Sequence, residues 1–328
     1  MVAIRTDGAG PGRAGGSRMG TVIETHELVK TYGELNAVDH LSLGVREGTI
    51  FSLLGPNGAG KTTTVEILEG LRAPSSGSAR VLEHDVRTEY TKIRRRVGIL
   101  PQDFEPFDRL TPREAVAYWA RLFNRDLTKG DVKTLLEDVG LLERAGIQSL
   151  HLSGGEKRKL GIAMSLVGEP DLLFLDEPTT GLDPKARRDL WGLILRVRKA
   201  GRTVLLTTHY LDEAEHLADE VGIMHRGKLV AGGRPEELIA RMGSQTTIVL
   251  GGAGAAGLQE VERRGIRATL RENDVLVRVS DPTEMRAVLA KLAAIDIPLK
   301  DMYTVRGSLE DVFLSLVGAR MEEGVLNP

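Results

Sequence analysis

The spacing of apolar residues changes several times along the chain, and each change predicts a different element. From Thr21 to about Met242, strand-like runs alternate with helical patterns. "TVIETHEL" and "LSLGVREG" partly alternate apolar and polar residues around a turn-rich segment, which predicts two early strands. Four further runs are short and almost wholly apolar: Thr49–Gly55, Arg96–Leu100, Asp171–Glu177 and Thr203–His209. Such runs suit parallel strands covered on both faces, each followed by a loop or helix.

Between Gln102 and Leu150 the pattern is helical, with no convincing strand. Thr111-Pro112-Arg113-Glu114 is a capping box with proline at the first helical position. The helix it opens is expected to bury Val116, Trp119, Ala120 and Phe123. A second helix is expected from about Asp131 to Val139, with Leu135, Leu136 and Val139 on its apolar side. Ser153 and Glu156 form another capping box, opening a helix from Gly154 to Val167 that turns Leu160, Ala163, Met164 and Val167 inward. Residues 103–168 therefore read as a helical subdomain inserted into an α/β core. After Gly243 the order strand, helix, strand, strand, helix, strand suits a small α+β domain of ferredoxin-like plan. A last helix, Leu309–Val317, puts Leu309, Val312, Phe313 and Leu316 on one stripe. The expected domains are thus 21–243 and 244–328, after a glycine-rich leader over 1–20 that reads as disordered. Met19, just before the first strand, is a candidate start codon.

Composition narrows the picture. The 328 residues are 41% hydrophobic and 27% charged, with a formal net charge of −2. That balance argues against a chain built to hold nucleic acid through phosphate contacts. The absence of cysteine excludes disulfides and thiolate metal sites and fits a cytosolic protein. No apolar run is long enough to span a bilayer.

The chemistry concentrates at the ends of the apolar runs. Gly55-Pro56-Asn57-Gly58-Ala59-Gly60-Lys61-Thr62 has the G-x-x-x-x-G-K-[ST] spacing, between a strand and a helix pattern that runs from Thr63 to Leu71. Glycines let backbone amides turn toward phosphate oxygens, and the helix N-terminus adds partial positive charge. Lys61 is placed to reach the β- and γ-phosphates, and Thr62 to ligate Mg²⁺. Asp176 and Glu177 close an apolar strand, where ligands gather in open α/β sheets. One carboxylate there can hold Mg²⁺ through water and its neighbour can polarise an attacking water. His209 closes the next strand at the same sheet edge. Ser153-Gly154-Gly155 offers a second helix N-terminus, and its two glycines weaken the first turn unless something must approach the backbone closely.

These motifs occur in the order found in ATP-binding cassette proteins, and residues 22–242 resemble the nucleotide-binding domain of that family. The resemblance implies a P-loop NTPase cassette of α/β class that binds ATP and Mg²⁺. It implies that Tyr32 stacks on adenine, that Thr63 joins the phosphate loop, and that Gln102 senses Mg²⁺ and the attacking water. It also implies that Ser153, Gly154, Gly155 and Glu156 of one protomer cap the γ-phosphate held by a second copy of the chain, with Asp183 crossing between them. Glu156 departs from the pattern, which usually has glutamine there, and brings a negative charge close to phosphate. "THYLDEAE", the stretch from Leu152 to Pro184 and "SLEDVFLSLVG" are similar to the exporter subfamily that includes daunorubicin-resistance ATPases. That points to an ATPase lying on the inner face of the cell membrane and working with a separate permease. A signalling or envelope-remodelling ATPase and an importer ATPase stay open. A DNA-repair relative would carry a long heptad insertion, and a translation-factor relative would usually carry two cassettes.

Overall fold

The computed structural model describes residues 20–241, 246–279, 282–295, 297–305 and 307–317, together with 321–322 and 325–326. The leader and the candidate start at Met19 lie outside the described residues. The chain divides into two compact units: residues 1–234 with 320–328, and residues 235–319.

The first unit contains two large sheets and, near the end of the chain, a short antiparallel pairing of Met321–Glu322 with Val325–Leu326. Strands β1 (Thr21–Tyr32), β2 (Leu35–Arg46), β4 (Ser76–Val81) and β5 (His84–Asp85) form an antiparallel sheet in the order β2-β1-β4-β5. The second sheet contains β3 (Ile50–Leu54), β6 (Val97–Leu100), β7 (Leu172–Asp176), β8 (Thr203–Thr208), β9 (Glu220–His225) and β10 (Lys228–Gly233). Its order is β10-β9-β3-β8-β7-β6, parallel throughout except for β10 at one edge.

Every residue of β3, β7 and β8 is buried, as expected for strands covered on both faces. The two-residue period then sorts their side chains. Phe51, Leu53, Leu172, Phe174 and Leu205 join a core shared with the antiparallel sheet and with helix α1 (Lys61–Leu68). Ile50, Leu173, Leu175, Val204 and Leu206 join a second core, which the helices fill. These helices are α3 (Pro112–Leu122), α4 (Lys129–Asp138), α5 (Gly154–Leu166) and α6 (Pro184–Lys199). A short helix α2 (Tyr90–Ile93) precedes β6, and α7 (Leu211–Leu217) follows β8.

Several boundaries differ from the sequence reading. Helix α1 starts at Lys61 rather than Thr63, and it stops early because Gly70, at φ +71°, packs its bare Cα against the Tyr90 ring. Helix α4 starts at Lys129 because Thr128 and Asp131 form a capping box of their own. On α3, Val116 and Ala120 are fully buried and Trp119 partly so, but Phe123 is at the surface and leans on the Trp119 ring. The hairpins β4–β5 and β9–β10 gave no signal strong enough to be read from sequence.

The second unit runs α8 (Pro235–Arg241), β11 (Thr246–Gly251), α9 (Gly254–Arg263), β12 (Ala268–Arg271), β13 (Asp274–Val279), α10 (Pro282–Leu292), β14 (Asp301–Val305), α11 (Leu309–Val317). Its antiparallel sheet has the order β12-β13-β11-β14, the ferredoxin-like arrangement. Ile248, Leu250, Val275, Val277 and Val279 share its core with Val261 of α9 and Val288 of α10. Leu309, Val312 and Phe313 are fully buried, whereas Leu316, expected on the same stripe, is 38% exposed. The unit starts at Pro235, so α8 belongs to it, ahead of the composition change after Gly243.

Candidate active site

The loop after β3 is shaped by close approach. A Cβ on Gly55 would lie 2.4 Å from the Met224 carbonyl oxygen, and one on Gly60 would lie 2.1 Å from that of Ala37. Gly58 and Gly60 also have left-handed φ values of +79° and +102°, which only glycine adopts freely. Gly227 donates its N–H to the Ala59 carbonyl at 2.9 Å, pinning the loop from the β9–β10 turn. Gly60 is the N-cap of α1 and supplies no side-chain cap. The first-turn amides of Lys61, Thr62 and Thr63 are therefore not claimed by a capping side chain, the arrangement that favours anions.

Lys61 is buried, and its Nζ donates to the Gly55 carbonyl at 2.7 Å and the Pro56 carbonyl at 3.2 Å. It also lies 3.4 Å from Glu177 Oε1. Burial lowers its pKa, and Glu177 and Asp176 restore part of the loss. Thr62 Oγ1 is 3.5 Å from Asp176 Oδ1, which also accepts a short hydrogen bond from Thr207 Oγ1. Burial raises the pKa of Asp176, with the Thr207 and Thr62 hydroxyls opposing it.

Glu177 has φ +44°, a left-handed backbone that costs a residue with a Cβ about 1 kcal/mol or more. Its N–H donates to Thr207 Oγ1 at 2.9 Å, and its Oε2 accepts from Thr180 Oγ1 at 3.0 Å. The same oxygen is 3.0 Å from His209 Nδ1. That contact is mainly electrostatic, because His209 Nδ1 has no well-aligned hydrogen-bond partner. Burial alone would push the Glu177 carboxyl up. The His209 ring, the Lys61 charge and the Thr180 hydroxyl outweigh it and hold the group down to about 2. Glu177 is thus a buried carboxylate between a cation and an imidazole.

Lys61, Thr62, Asp176, Glu177 and His209 therefore meet at the carboxyl ends of β3, β7 and β8. The other expected site residues lie apart from this cluster. Gln102 is exposed, no hydrogen bond joins its side chain to the cluster, and its carbonyl accepts from Arg158 Nη2. Tyr32 is 41% exposed at the end of β1, with Lys30 and Arg72 over its ring. Ser153 caps α5, its hydroxyl accepting from Glu156 N while Glu156 Oε2 accepts from Ser153 N. Arg144 also binds Glu156 at 2.9 Å, so the charge that departs from the resemblance is paired within the chain. Burial opposes ionisation of Glu156, but the Ser153 and Arg144 contacts prevail and lower its pKa. Asp183 caps α6 by accepting from the N–H groups of Lys185 and Ala186, both at 2.9 Å. A Cβ on Gly155 would lie 2.9 Å from Ala186 Cβ, and one on Gly154 3.5 Å from Leu182. The first turns of α5 and α6 consequently lie side by side.

Sequence reading missed Thr207 and Thr180. Neither stood out, because β8 carries three threonines and nothing in the sequence says which of them meets Asp176. The set of oxygen donors fits a hard divalent cation such as Mg²⁺, which needs one or two protein oxygens and completes its shell with phosphate and water. Thr62 and Asp176 provide such a pair.

The sequence profile described as ABC transporter matches residues 38–180. Over 90% of its length the chain is 38% identical to the daunorubicin/doxorubicin resistance ATP-binding protein DrrA of Streptomyces peucetius, covering 92% of that protein. The chain belongs to the ATP-binding cassette family. It is also 33% identical to the linearmycin resistance ATP-binding protein LnrL of Bacillus subtilis, over 92% of this chain and all of that one. With the Nod factor export ATP-binding protein I of Cupriavidus metallidurans it shares 37% identity, over 93% of this chain and all of the relative. Among solved structures, cbiO1 from Clostridium perfringens superposes with a TM-score of 0.61 at 28% identity, covering 67% of this chain and 91% of that one. The cassette MJ0796, solved as a dimer in a post-hydrolysis state with ADP and phosphate, gives 0.58 at 27% identity, over 65% and 98% of the two chains. The cassette likeness and the glycine loop thus agree on a nucleotide as ligand.

Proposed function

We propose that this cassette hydrolyses ATP to ADP and phosphate and thereby energises export through a separate membrane permease. The observation that carries the reading is Glu177, held ionised between Lys61 and His209 beside the Thr62–Asp176 oxygen pair. With its pKa so low, Glu177 is better suited to orient water by accepting its hydrogen bond than to remove a proton outright. Phosphoryl transfer through a loose transition state requires little more than that positioning. Lys61, drawn from its loop carbonyls, pairs with the phosphates. His209 and Lys61 offset charge that develops on the transferred group. Mg²⁺ held by Thr62 and Asp176 would supply further positive charge at the phosphates, and Gln102 would approach that group from the loop after β6. Tyr32 would stack on the adenine, and Gly55 to Thr63 would wrap the phosphates.

In this reading a second copy completes each site. Its Ser153 to Glu156 turn and its Asp183 would close over the γ-phosphate, a role supported by the adjacent first turns of α5 and α6 in one chain. The cassette at 27% identity solved as a dimer in a post-hydrolysis state supports pairing of two copies. Export is favoured by the resistance and export names of the relatives. Among the described residues no helix is long and apolar enough to cross a membrane. The permease is therefore a separate chain in this reading, met by the helical subdomain at the inner membrane face. The unit that runs to Arg234 acts as the cassette and residues 235–319 as an accessory domain.

The test is Mg²⁺-dependent phosphate release by the wild type and by Glu177→Gln. The variant should keep ATP binding and lose most turnover. Turnover equal to the wild type would remove Glu177 from the mechanism.

A further inference from the structure

Glu213, the third residue of α7, lies in the "THYLDEAE" stretch and is fully buried, yet none of the roles above falls to it. Its Oε1 accepts two hydrogen bonds from separate elements. One comes from Thr179 Oγ1 at 2.8 Å, in the segment between Glu177 and Asp183, and the other from Trp191 Nε1 at 3.0 Å, on α6. Its Oε2 has no hydrogen-bond partner among the described residues. The same turn of α7 is tied to α6 a second time. Arg187 stacks over the Tyr210 ring at 4.3 Å and pairs with Asp212 at 3.4 Å. Tyr210 in turn packs against the His209 ring at 4.3 Å, and its N–H donates to Thr208 Oγ1 at 2.9 Å.

We propose that Glu213 is a positioning residue that locks the Thr179–Asp183 segment and α6 to the first turn of α7, and so sets where His209 stands against Glu177. The inference rests on the hydrolysis reading above and deepens it. A segment offered to a second copy at Asp183 and an imidazole beside the water-orienting carboxylate would then share one register. A displacement at the first would be felt at the second.

The setting favours the neutral form of the carboxyl. Burial pushes its pKa up, and the nearby Thr208 hydroxyl and the Thr179 and Trp191 hydrogen bonds oppose this only in part, while Asp212 on the same helix adds to it. The groups around it are Asp212 and His216 on α7, Arg187 and Trp191 on α6, with His216 stacked on Trp191 at 4.9 Å, Thr179 in the segment after β7, and Thr208 at the end of β8. Arg187 pairs with Asp212 and stacks on Tyr210, and no ion pair joins it to Glu213 among the described residues. An ionised Glu213 would therefore place an uncompensated charge in this knot, which an interior tolerates poorly.

The experiment measures kcat and KM for Mg²⁺-ATP hydrolysis across pH for the wild type, Glu213→Gln and Glu213→Leu. Thr179→Val is included because it deletes one of the two hydrogen bonds at little change in volume, and Trp191→Phe because it deletes the other while keeping an aromatic ring, at the cost of the smaller side chain. The Gln variant keeps the neutral acceptor and should retain kcat near the wild type. The Leu variant should keep KM while kcat falls about tenfold to a hundredfold, the scale of a misplacement near 1 Å. The Val and Phe variants should show the same split to a smaller extent. The wild-type kcat should also decline as rising pH ionises Glu213, and the Gln variant should lack that decline. Wild-type kcat in the Leu, Val and Phe variants would overturn the proposal, as would a joint loss of ATP affinity and kcat. Identical pH profiles for wild type and the Gln variant would overturn the neutral-acid role. A wild type that releases no phosphate would instead refute the hydrolysis reading.

Discussion

Replacing Glu69 with glutamine should stabilise the protein, and only above acid pH. Glu69 closes α1 and is buried, and its carboxyl is pushed up to about 8 by burial and then by the negative charges of Asp176 and Glu66. The unfolded chain releases this proton near pH 4.5, while the folded chain keeps it until about pH 8. A raised carboxyl contributes its full stability below the unfolded value and loses it progressively as pH climbs to the folded value. At about 1.4 kcal/mol per pH unit, the folded state carries a penalty of about 3 kcal/mol at pH 7 and under about 1 kcal/mol at pH 5. Glutamine has nearly the same shape and no charge to hide, so Glu69→Gln removes the penalty. At about 2–4 °C per kcal/mol for a unit of this size, Tm should rise by about 6–12 °C at pH 7 and by only about 1–3 °C at pH 5. Paired thermal melts at the two pH values read this directly. A Tm difference that does not change with pH, or a glutamine variant less stable at pH 7, would refute the reasoning.

Lys61→Ala deletes a buried cation and should weaken ATP binding about 10- to 100-fold, measured by titration calorimetry. The same change should let the Glu177 carboxyl rise from about 2, since the lysine is among the groups holding it down. Ser153→Ala removes a capping hydroxyl worth about 1 kcal/mol to α5. It should leave ATP binding by a single chain intact while lowering dimer content and turnover, as sedimentation with and without ATP would show. A chain ending at Arg234 should still bind ATP but dimerise less, by the same sedimentation assay.

The sequence was most legible where one local rule was sufficient. The glycine loop, the Ser153 cap and the β3, β7 and β8 runs each announced themselves through period or spacing, and β7 and β8 delivered Asp176 and His209 to the same sheet edge. The order of elements after Gly243 was also readable, because alternation in β13 and the helical stripes around it are local. What failed depended on distant partners. The capping box at Thr128 was overlooked because its third position is aspartate, and Phe123 sits at the surface because α3 ends there. β4 and β10 carry too few apolar residues to stand out, and only their neighbours β1 and β9 make them strands. Thr207 and Glu213 became visible only when the fold brought Asp176 and Trp191 to them.

The most direct measurement mixes two impaired chains. Glu177→Gln lacks the carboxylate that orients water, and Ser153→Ala lacks the hydroxyl offered to the other copy's phosphate. In a mixed dimer both defects fall in one site, and the other site is built entirely from intact groups. Phosphate release from the mixture should therefore exceed the sum of the two variants assayed apart. Release no greater than that sum, with mixed dimers present, would contradict an ATP site shared between two copies of the chain.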